Sequence, residues 1–562
     1  MKKLFSFAVA VTCALAITSC KSVEMPADLQ CNPNPLTVVG NKIDATVSGT
    51  FEQKTFGKKG TLVVTPVLRY AGKEVKGTPQ TYVGQKVKEN GKTIAYKAGG
   101  KYEMPVSFDY APDMKICELY LQFDATYGKK KVEIPEVKVA DGLVLTAKRS
   151  SADDLNAAPT PDKFQRVIQE KQEAEIRFLI QQAALRSSET GSQSIKDLEE
   201  AMKAAKNDER KNISGIEVWG YASPDGSVEL NEKLSEQREA NASKFIAQKV
   251  KKNKVQAGID TKTTAEDWEG FQQLMEASNM QDKDLVLRVL SMYSDPEERE
   301  AHIKNLSSVY ENIAEDILPQ LRRARITMTT ELTGKTDDEI SKLAKEDASQ
   351  LNVEELLYAA TLTGDNAEKA AIYEQCIKQF PNDYRAYNNL GLMKAAEGNY
   401  SAASEFYEKA LKIDANNADV NYNAGIAAMA QGKLDDAQAY FGKAAGTTGD
   451  LNSALGTLYT MKGDYKNASK SFGSAVSNNA AIQQILNGDY ATARTTLNSV
   501  KNPNSTTYYM QAVVGARTND REAVLSNLKT AIAKDSGVKE LVQNDIEFTA
   551  FAQDADFQAL IK

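Results

Sequence analysis

The sequence predicts a multidomain chain: an antiparallel β-sandwich first, an α/β sandwich carrying a helical insertion second, and an all-α solenoid last. Three observations predict it. Apolar and polar residues alternate in short runs over about 36–147, strands and helices alternate over 163–333, and glycines at 364, 398, 432, 463 and 488 recur at spacings of 34, 34, 31 and 25. The 562 residues leave room for three to four domains at roughly 150 residues each.

At the amino terminus Lys2 and Lys3 precede an apolar stretch from Leu4 to Ile17, followed by Thr18-Ser19-Cys20. This is the build of an export signal over 1–19, too short to span a bilayer comfortably. Ile17-Thr18-Ser19-Cys20 resembles the lipobox of bacterial lipoproteins. The resemblance implies that Cys20 is acylated and holds the membrane, each buried methylene contributing about 0.8 kcal/mol. Lys21 is not the aspartate that often retains such proteins at the inner membrane, and Lys21-Ser22-Val23-Glu24 lacks the acidic cluster of many surface-exported ones. The expected location is the outer membrane, facing the periplasm, with 20–35 as a tether. Of the cysteines left, Cys31 and Cys117 either pair in an oxidising periplasm or stand apart as thiols in separate strands.

Runs such as Gly60–Tyr70 and Glu118–Tyr127 alternate with turn residues, as half-buried strands do, and place the β-sandwich at 36–147. Gly91-Lys92-Thr93 is no phosphate-binding loop, because the required earlier glycine is Lys86. Asn90-Gly91 reads instead as a hairpin turn. The polar, proline-containing stretch 148–162 has the composition of a linker.

In 163–333, Glu175–Gln181 and Ile213–Gly220 read as strands, and Ser192–Lys206 and Asn231–Lys252 as helices. Gly220, Gly226, Asn231, Leu234, Ser235 and Arg238, with Leu321-Arg322-Arg323-Ala324-Arg325-Ile326 near the end, fall at the spacings of a known signature. The segment resembles the OmpA-like domain, which implies binding of the peptide stem of peptidoglycan. In that family an aspartate pairs the ammonium of diaminopimelate and an arginine its carboxylate, since a zwitterionic end needs one anion and one planar cationic fork. Arg238 fills the arginine position, but Ser223 stands in place of the aspartate. Asp225 either supplies the charge from a re-aimed loop or is the third residue of a Ser-Pro-Asp-Gly turn. The candidate wall-binding residues are therefore Arg238, Asn231, Asp225 and Ser223. A helical insertion at about 266–318 carries Glu266-Asp267-Trp268, Asp282-Lys283-Asp284 and His302; its charges read as solvated helix faces and Trp268 as a core anchor.

From about 350 to 535 the chain repeats itself. Tyr387, Leu390-Gly391, Gly398, Ala403, Tyr407 and Ala410 recur as Ala424-Gly425, Gly432, Ala437, Phe441 and Ala444, and again as Gly456, Gly463, Ala468, Phe472 and Ala475. The pattern resembles tetratricopeptide repeats, which implies stacked helix pairs that present a concave face to an extended peptide or another protein's helix. Cys376 takes a small-residue packing position, and 536–562 reads as capping helices.

The 69 Lys+Arg against 76 Asp+Glu give no basic footprint for nucleic acid. His302 is the one histidine, which closes Ser-His-Asp triads and multi-histidine zinc sites by counting. No catalytic constellation and no cofactor site is expected. The expected function is a lipid-anchored, non-enzymatic scaffold: the central domain on peptidoglycan, the solenoid on a protein partner of an envelope assembly. The alternatives are a surface adhesion or pilus-like component and an acidic-pair wall hydrolase.

Overall fold

The computed structural model describes residues 22–562 except Gln281, and leaves the side chains of 307–309 undescribed. The signal segment and Cys20 lie outside the described residues. Two compact units form, one from residues up to 161 together with 364–562, the other from 162–363.

In the first unit the alternating segments build two sheets face to face. β1 (Ala27–Asn32), β2 (Leu36–Val39), β3 (Lys42–Phe51), β8 (Gly100–Asp109) and β12 (Leu143–Val144) make one. β4 (Gly60–Tyr70), β5 (Lys73–Lys76), β6 (Gln80–Gly84), β7 (Lys92–Ile94), β9 (Cys117–Tyr127), β10 (Lys130–Val132) and β11 (Val137–Asp141) make the other. Strict in-out alternation along β8 puts Tyr102, Met104, Val106 and Phe108 in the core, where they meet Leu62, Val64, Leu119 and Leu121. Each such side chain contributes about 1.5–3 kcal/mol on burial. Phe51 packs against Phe56, Tyr82 and Tyr102 with ring centroids 5.2, 5.2 and 5.9 Å away.

Two expectations are corrected here, and of the two states left open for Cys31 and Cys117 the separate thiols are seen. From Val23 on, the stretch expected as a tether is folded into the sandwich: Val23 is buried and bridges Phe56, and β1 pairs with β3. Asn90-Gly91 makes no hairpin: β6 and β7 run parallel, and their connection folds back over Lys58, whose carbonyl accepts the Lys86 N–H. Cys31 and Cys117 sit in different sheets as free thiols, so the considered disulfide is not made. Burial pushes the Cys31 thiol up to about 11 and the Cys117 thiol to about 12, which makes neither a nucleophile.

The second unit is an α/β sandwich. β13 (Val167–Arg177), β14 (Lys211–Tyr221), β15 (Ile259–Thr264) and β16 (Arg323–Thr333) form one sheet in the order β13-β16-β14-β15. β15 lies parallel to β14 and β16 antiparallel to it. Two helices, α1 (Gln193–Asn207) and α2 (Val228–Asn253), share a core with Ile176, Val218 and Ile326 of the sheet. A Cβ at Gly220 would lie 2.2 Å from the Ser235 carbonyl of α2, so only glycine lets helix and strand approach this closely. The first strand starts eight residues earlier than expected, at Val167, because its leading half is exposed on both faces and shows no apolar alternation. The insertion folds as helices over Trp268–Ala277, Lys283–Met292 and Pro296–Lys304 and a helical run from Ser307 to Leu321, around Phe271, Met275, Val286 and Ile317. Trp268 packs edge-on against Phe271, and His302 stacks on Tyr293 at 4.0 Å.

Helices Asp337–Glu346 and Val353–Ala359 close this unit: Lys335 pairs Glu355, and Tyr358 stacks on Phe164 at 4.4 Å. The helix expected to open the first repeat is thus part of the second unit. Within the first unit the solenoid begins with Asn366–Gln379. Five helix pairs follow: Tyr384–Ala396 with Tyr400–Ile413, Ala418–Ala430 with Leu434–Phe441, Leu451–Lys462 with Tyr465–Phe472, Asn478–Leu486 with Tyr490–Asn498, and Ser505–Arg517 with Arg521–Lys534. Gly391, Gly425 and Gly456 leave no room for a Cβ, which would stand 2.4, 2.5 and 2.7 Å from the rings of Tyr407, Phe441 and Phe472. Phe548, Phe551, Phe557 and Ile561 of the terminal segment cover the last pair.

Candidate functional site

Asn389, Asn423 and Asn479 each stand two residues before the small residue, Gly391, Gly425 or Ala481, at which the paired helices touch. All three lie on the first helix of their pair. Their common register points the amides along one line, and that line is filled by the chain's own residues 150–161.

Each asparagine grips one residue by both backbone groups. Asn479 Oδ1 accepts the Ser151 N–H at 3.0 Å while its Nδ2 donates to the Ser151 carbonyl at 2.7 Å. Asn423 does the same to Ala158 at 2.8 and 2.7 Å, and Asn389 to Thr160 at 3.1 and 3.0 Å. In the pair between Asn423 and Asn479 the same register position, two residues before Gly456, is Ala454, where the row is interrupted. Between the clamps the Tyr422 hydroxyl donates to the Asn156 carbonyl at 3.0 Å, and Asp154 accepts the Asn479 N–H at 3.0 Å and Asn478 Nδ2 at 3.2 Å. Burial holds the Asp154 carboxyl above its ordinary value. The segment runs against the order of the helix pairs, entering where Arg149 lies over the Tyr509 ring and leaving at Asn389.

Apart from Leu155, which packs half-buried against the cluster of Tyr422, Ile426 and Phe441, the strap's side chains that face the groove are small. Ser150, Ala152, Ala158 and Thr160 are 4, 3, 1 and 3% exposed, so the stretch expected to be a linker buries one face in the groove, while Asp153, Asn156, Ala157, Pro159 and Pro161 stay exposed. Its composition suits this role too: Pro159 and Pro161 favour extended backbone, and the asparagines supply the bonds that a strand would take from a sheet.

The candidate wall site lies in the second unit, where β14 ends and α2 begins. All four candidate residues converge on the loop 222–227. Asn231 Nδ2 donates to the Gly226 carbonyl at 3.1 Å and closes the turn. Arg238, 1% exposed, donates to the carbonyls of Tyr221 at 2.9 Å, Gln182 at 3.1 Å and Leu179 at 3.4 Å. Burial and the nearby Arg322 pull its guanidinium down to about 10. Ser223 donates to Asp225 at 2.5 Å, and Arg322 donates to Ser223 at 3.2 Å and to Asp225 at 2.8 Å. Asp225 is therefore more than a turn residue: it is the anion of a buried pair with Arg322. The neighbouring Arg323 pairs Asp267 at 2.9 Å, which takes Asp267 off the solvated face expected for it. Both arginines of the closing segment end on carboxylates. A zwitterionic ligand would find the anion neutralised and the candidate fork turned to the backbone.

Two tetratricopeptide repeat family models match the chain, over residues 363–418 and 394–461. No curated protein matches it. Among solved structures, a tetratricopeptide repeat protein from Parabacteroides merdae is 17% identical over 37% of this chain and 90% of that one, with a TM-score of 0.32. YrrB, a TPR protein with an unusual peptide-binding site, is 23% identical over 30% of this chain and 94% of its own, at 0.24. PilW, a type IV pilus biogenesis factor, is 16% identical over 40% and 98%, at 0.28. The family matches carry the assignment: the C-terminal region is built of tetratricopeptide repeats, a scaffold for protein–protein interaction.

Proposed function

We propose that the chain is a lipoprotein of the outer membrane, anchored through an acylated Cys20 and facing the periplasm, that works as a non-enzymatic scaffold. Its solenoid takes a protein partner of an envelope assembly, and its central domain, of the OmpA-like kind, meets peptidoglycan. The observation that carries the reading is the tetratricopeptide solenoid, fused into one unit with the β-sandwich that follows the export signal. Wall contact requires a diaminopimelate end to take Asp225 from Arg322, exchanging the guanidinium for the ligand's ammonium at the same carboxylate. No reacting group is called on at any step.

Expression with the native leader tests the anchor: the chain should fractionate with membranes, and Cys20→Ala should release it. An equally membrane-bound Cys20→Ala chain removes the anchor. Sedimentation with purified peptidoglycan tests the wall contact, with Asp225→Asn expected to lose at least tenfold in retention. Undiminished retention of that variant, or none by the native chain, removes the central domain from the wall.

A further inference from the structure

The groove reads backbone, not side-chain identity. Asn389, Asn423 and Asn479 each engage one N–H and one carbonyl, a pair that every residue except proline presents. Selection comes from room and charge. Small side chains fit against the first helices, and one carboxylate, Asp154, meets the Asn479 N–H and the Asn478 amide.

We propose that this groove is a receptor for an extended segment of a partner protein and that residues 150–161 are its built-in competitor. The displacing segment shares the strap's chemistry: a small residue at the first clamp, an aspartate three residues on, and small residues seven and nine on. The inference rests on the solenoid as a protein-binding element and is independent of the anchor and the wall contact. Because the strap is covalently continuous with the chain at both ends, its effective concentration at the groove is on the order of millimolar. A free peptide therefore competes poorly with the closed strap, and a partner succeeds by adding contacts outside the groove or by pulling the strap away. The groove's own share of these bonds comes from neutral groups, the asparagine amides, the Asn479 N–H and the Tyr400 and Tyr422 hydroxyls, while the carboxylates of Asp153 and Asp154 leave with the strap, so nothing ionic is stranded while the groove is empty.

The test uses a fluorescein-labelled peptide with the sequence of residues 150–161 and the full chain, read by fluorescence anisotropy. In the loosened variant Ser151→Pro/Ala158→Pro the strap loses the N–H groups given to Asn479 and Asn423, while the groove is untouched. The peptide should bind this variant at least tenfold more tightly than the native chain, and adding Asn423→Ala should weaken it at least tenfold again. Equal binding to native and loosened chains, or binding indifferent to Asn423→Ala, overturns the proposal. Should the loosened chain fail to fold by circular dichroism, hydrogen exchange of the native chain decides. Amides of Ser151, Ala158 and Thr160 should exchange at least tenfold faster than those of the buried helix residues Leu458 and Val513. Exchange of both sets together would make the strap a permanent part of the core and end the idea. A chain that binds peptide but fractionates with neither membrane nor wall loses the reading of its location and keeps this one.

Discussion

The solenoid groove and the loop after β14 are both places where the sequence points to a ligand, and in both the chain's own residues already take the groups a ligand would use. They differ in how. In the groove, neutral amides meet a neutral backbone, each bond contributing a net of about 0.5–1.5 kcal/mol, so the occupant is exchangeable for another backbone. In the loop, Arg322 and Asp225 face each other with side chains 10 and 15% exposed, and removing either strands a charge. A recognition surface made of amides stays open to replacement, whereas one made of ions has committed its partners.

The sharpest test of that contrast is Arg238→Ala. It orphans the buried Tyr221 carbonyl, frees those of the exposed Leu179 and Gln182, empties the volume of a fully buried side chain, and should destabilise the second unit by about 3–5 kcal/mol. Trp219 and Trp268, the two tryptophans of the chain, both lie in that unit, so the urea midpoint of tryptophan fluorescence reports it alone. Next comes Asp225→Asn, which leaves Arg322 without its anion and should cost about 2–3 kcal/mol by the same readout, the residual exposure keeping it below the fully buried case. A loss as small as that of a surface pair would place Asp225 among groups free to bind. On the other side, Asn423→Ala removes both bonds to Ala158 and should cost the strap about 1–2 kcal/mol, seen as roughly tenfold faster exchange of the Ala158 amide, with tryptophan fluorescence unmoved.

The smallest effect is that of pH on strap closure. Asp154 has a higher carboxyl pKa in the groove than free, so closing the strap takes up a proton. Closure is then strongest below the free aspartate value of about 4 and weakens as pH rises through the raised value. Protection of the Ser151 and Ala158 amides, corrected for intrinsic exchange, should fall over that rise, and Asp154→Asn should flatten the dependence. A rise in protection with pH would mean that the carboxylate is stabilised in the groove, contrary to its burial.

Much of the architecture was written in local patterns. Alternation along Gly60–Tyr70 and Glu118–Tyr127 predicted the two strands that pair along their whole length, and the glycine period predicted the pairs closed by Tyr407, Phe441 and Phe472. What stayed hidden was written in distant ones. Ser151 and Asn479 are 328 residues apart, and a neutral amide pair leaves neither charge nor hydrophobic period to betray it. A serine- and alanine-rich stretch has the same composition whether it swings free or lies in a groove. Arg322 was legible as part of a closing strand but not as the partner of Asp225, 97 residues earlier. The asparagines at 389 and 423 did carry a signal: amides recurring at the repeat period on helices otherwise packed with small residues.

Val23, locked beneath Phe56 at the edge of the β-sandwich, sets the length of the leash. Three steps of chain lead to it from Cys20, through Lys21 and Ser22, and fully extended they reach only about 10 Å. An acylated chain would have no slack with which to wander: the sandwich would ride against the lipid headgroups, and any protein recruited to the groove would be gathered at the bilayer surface.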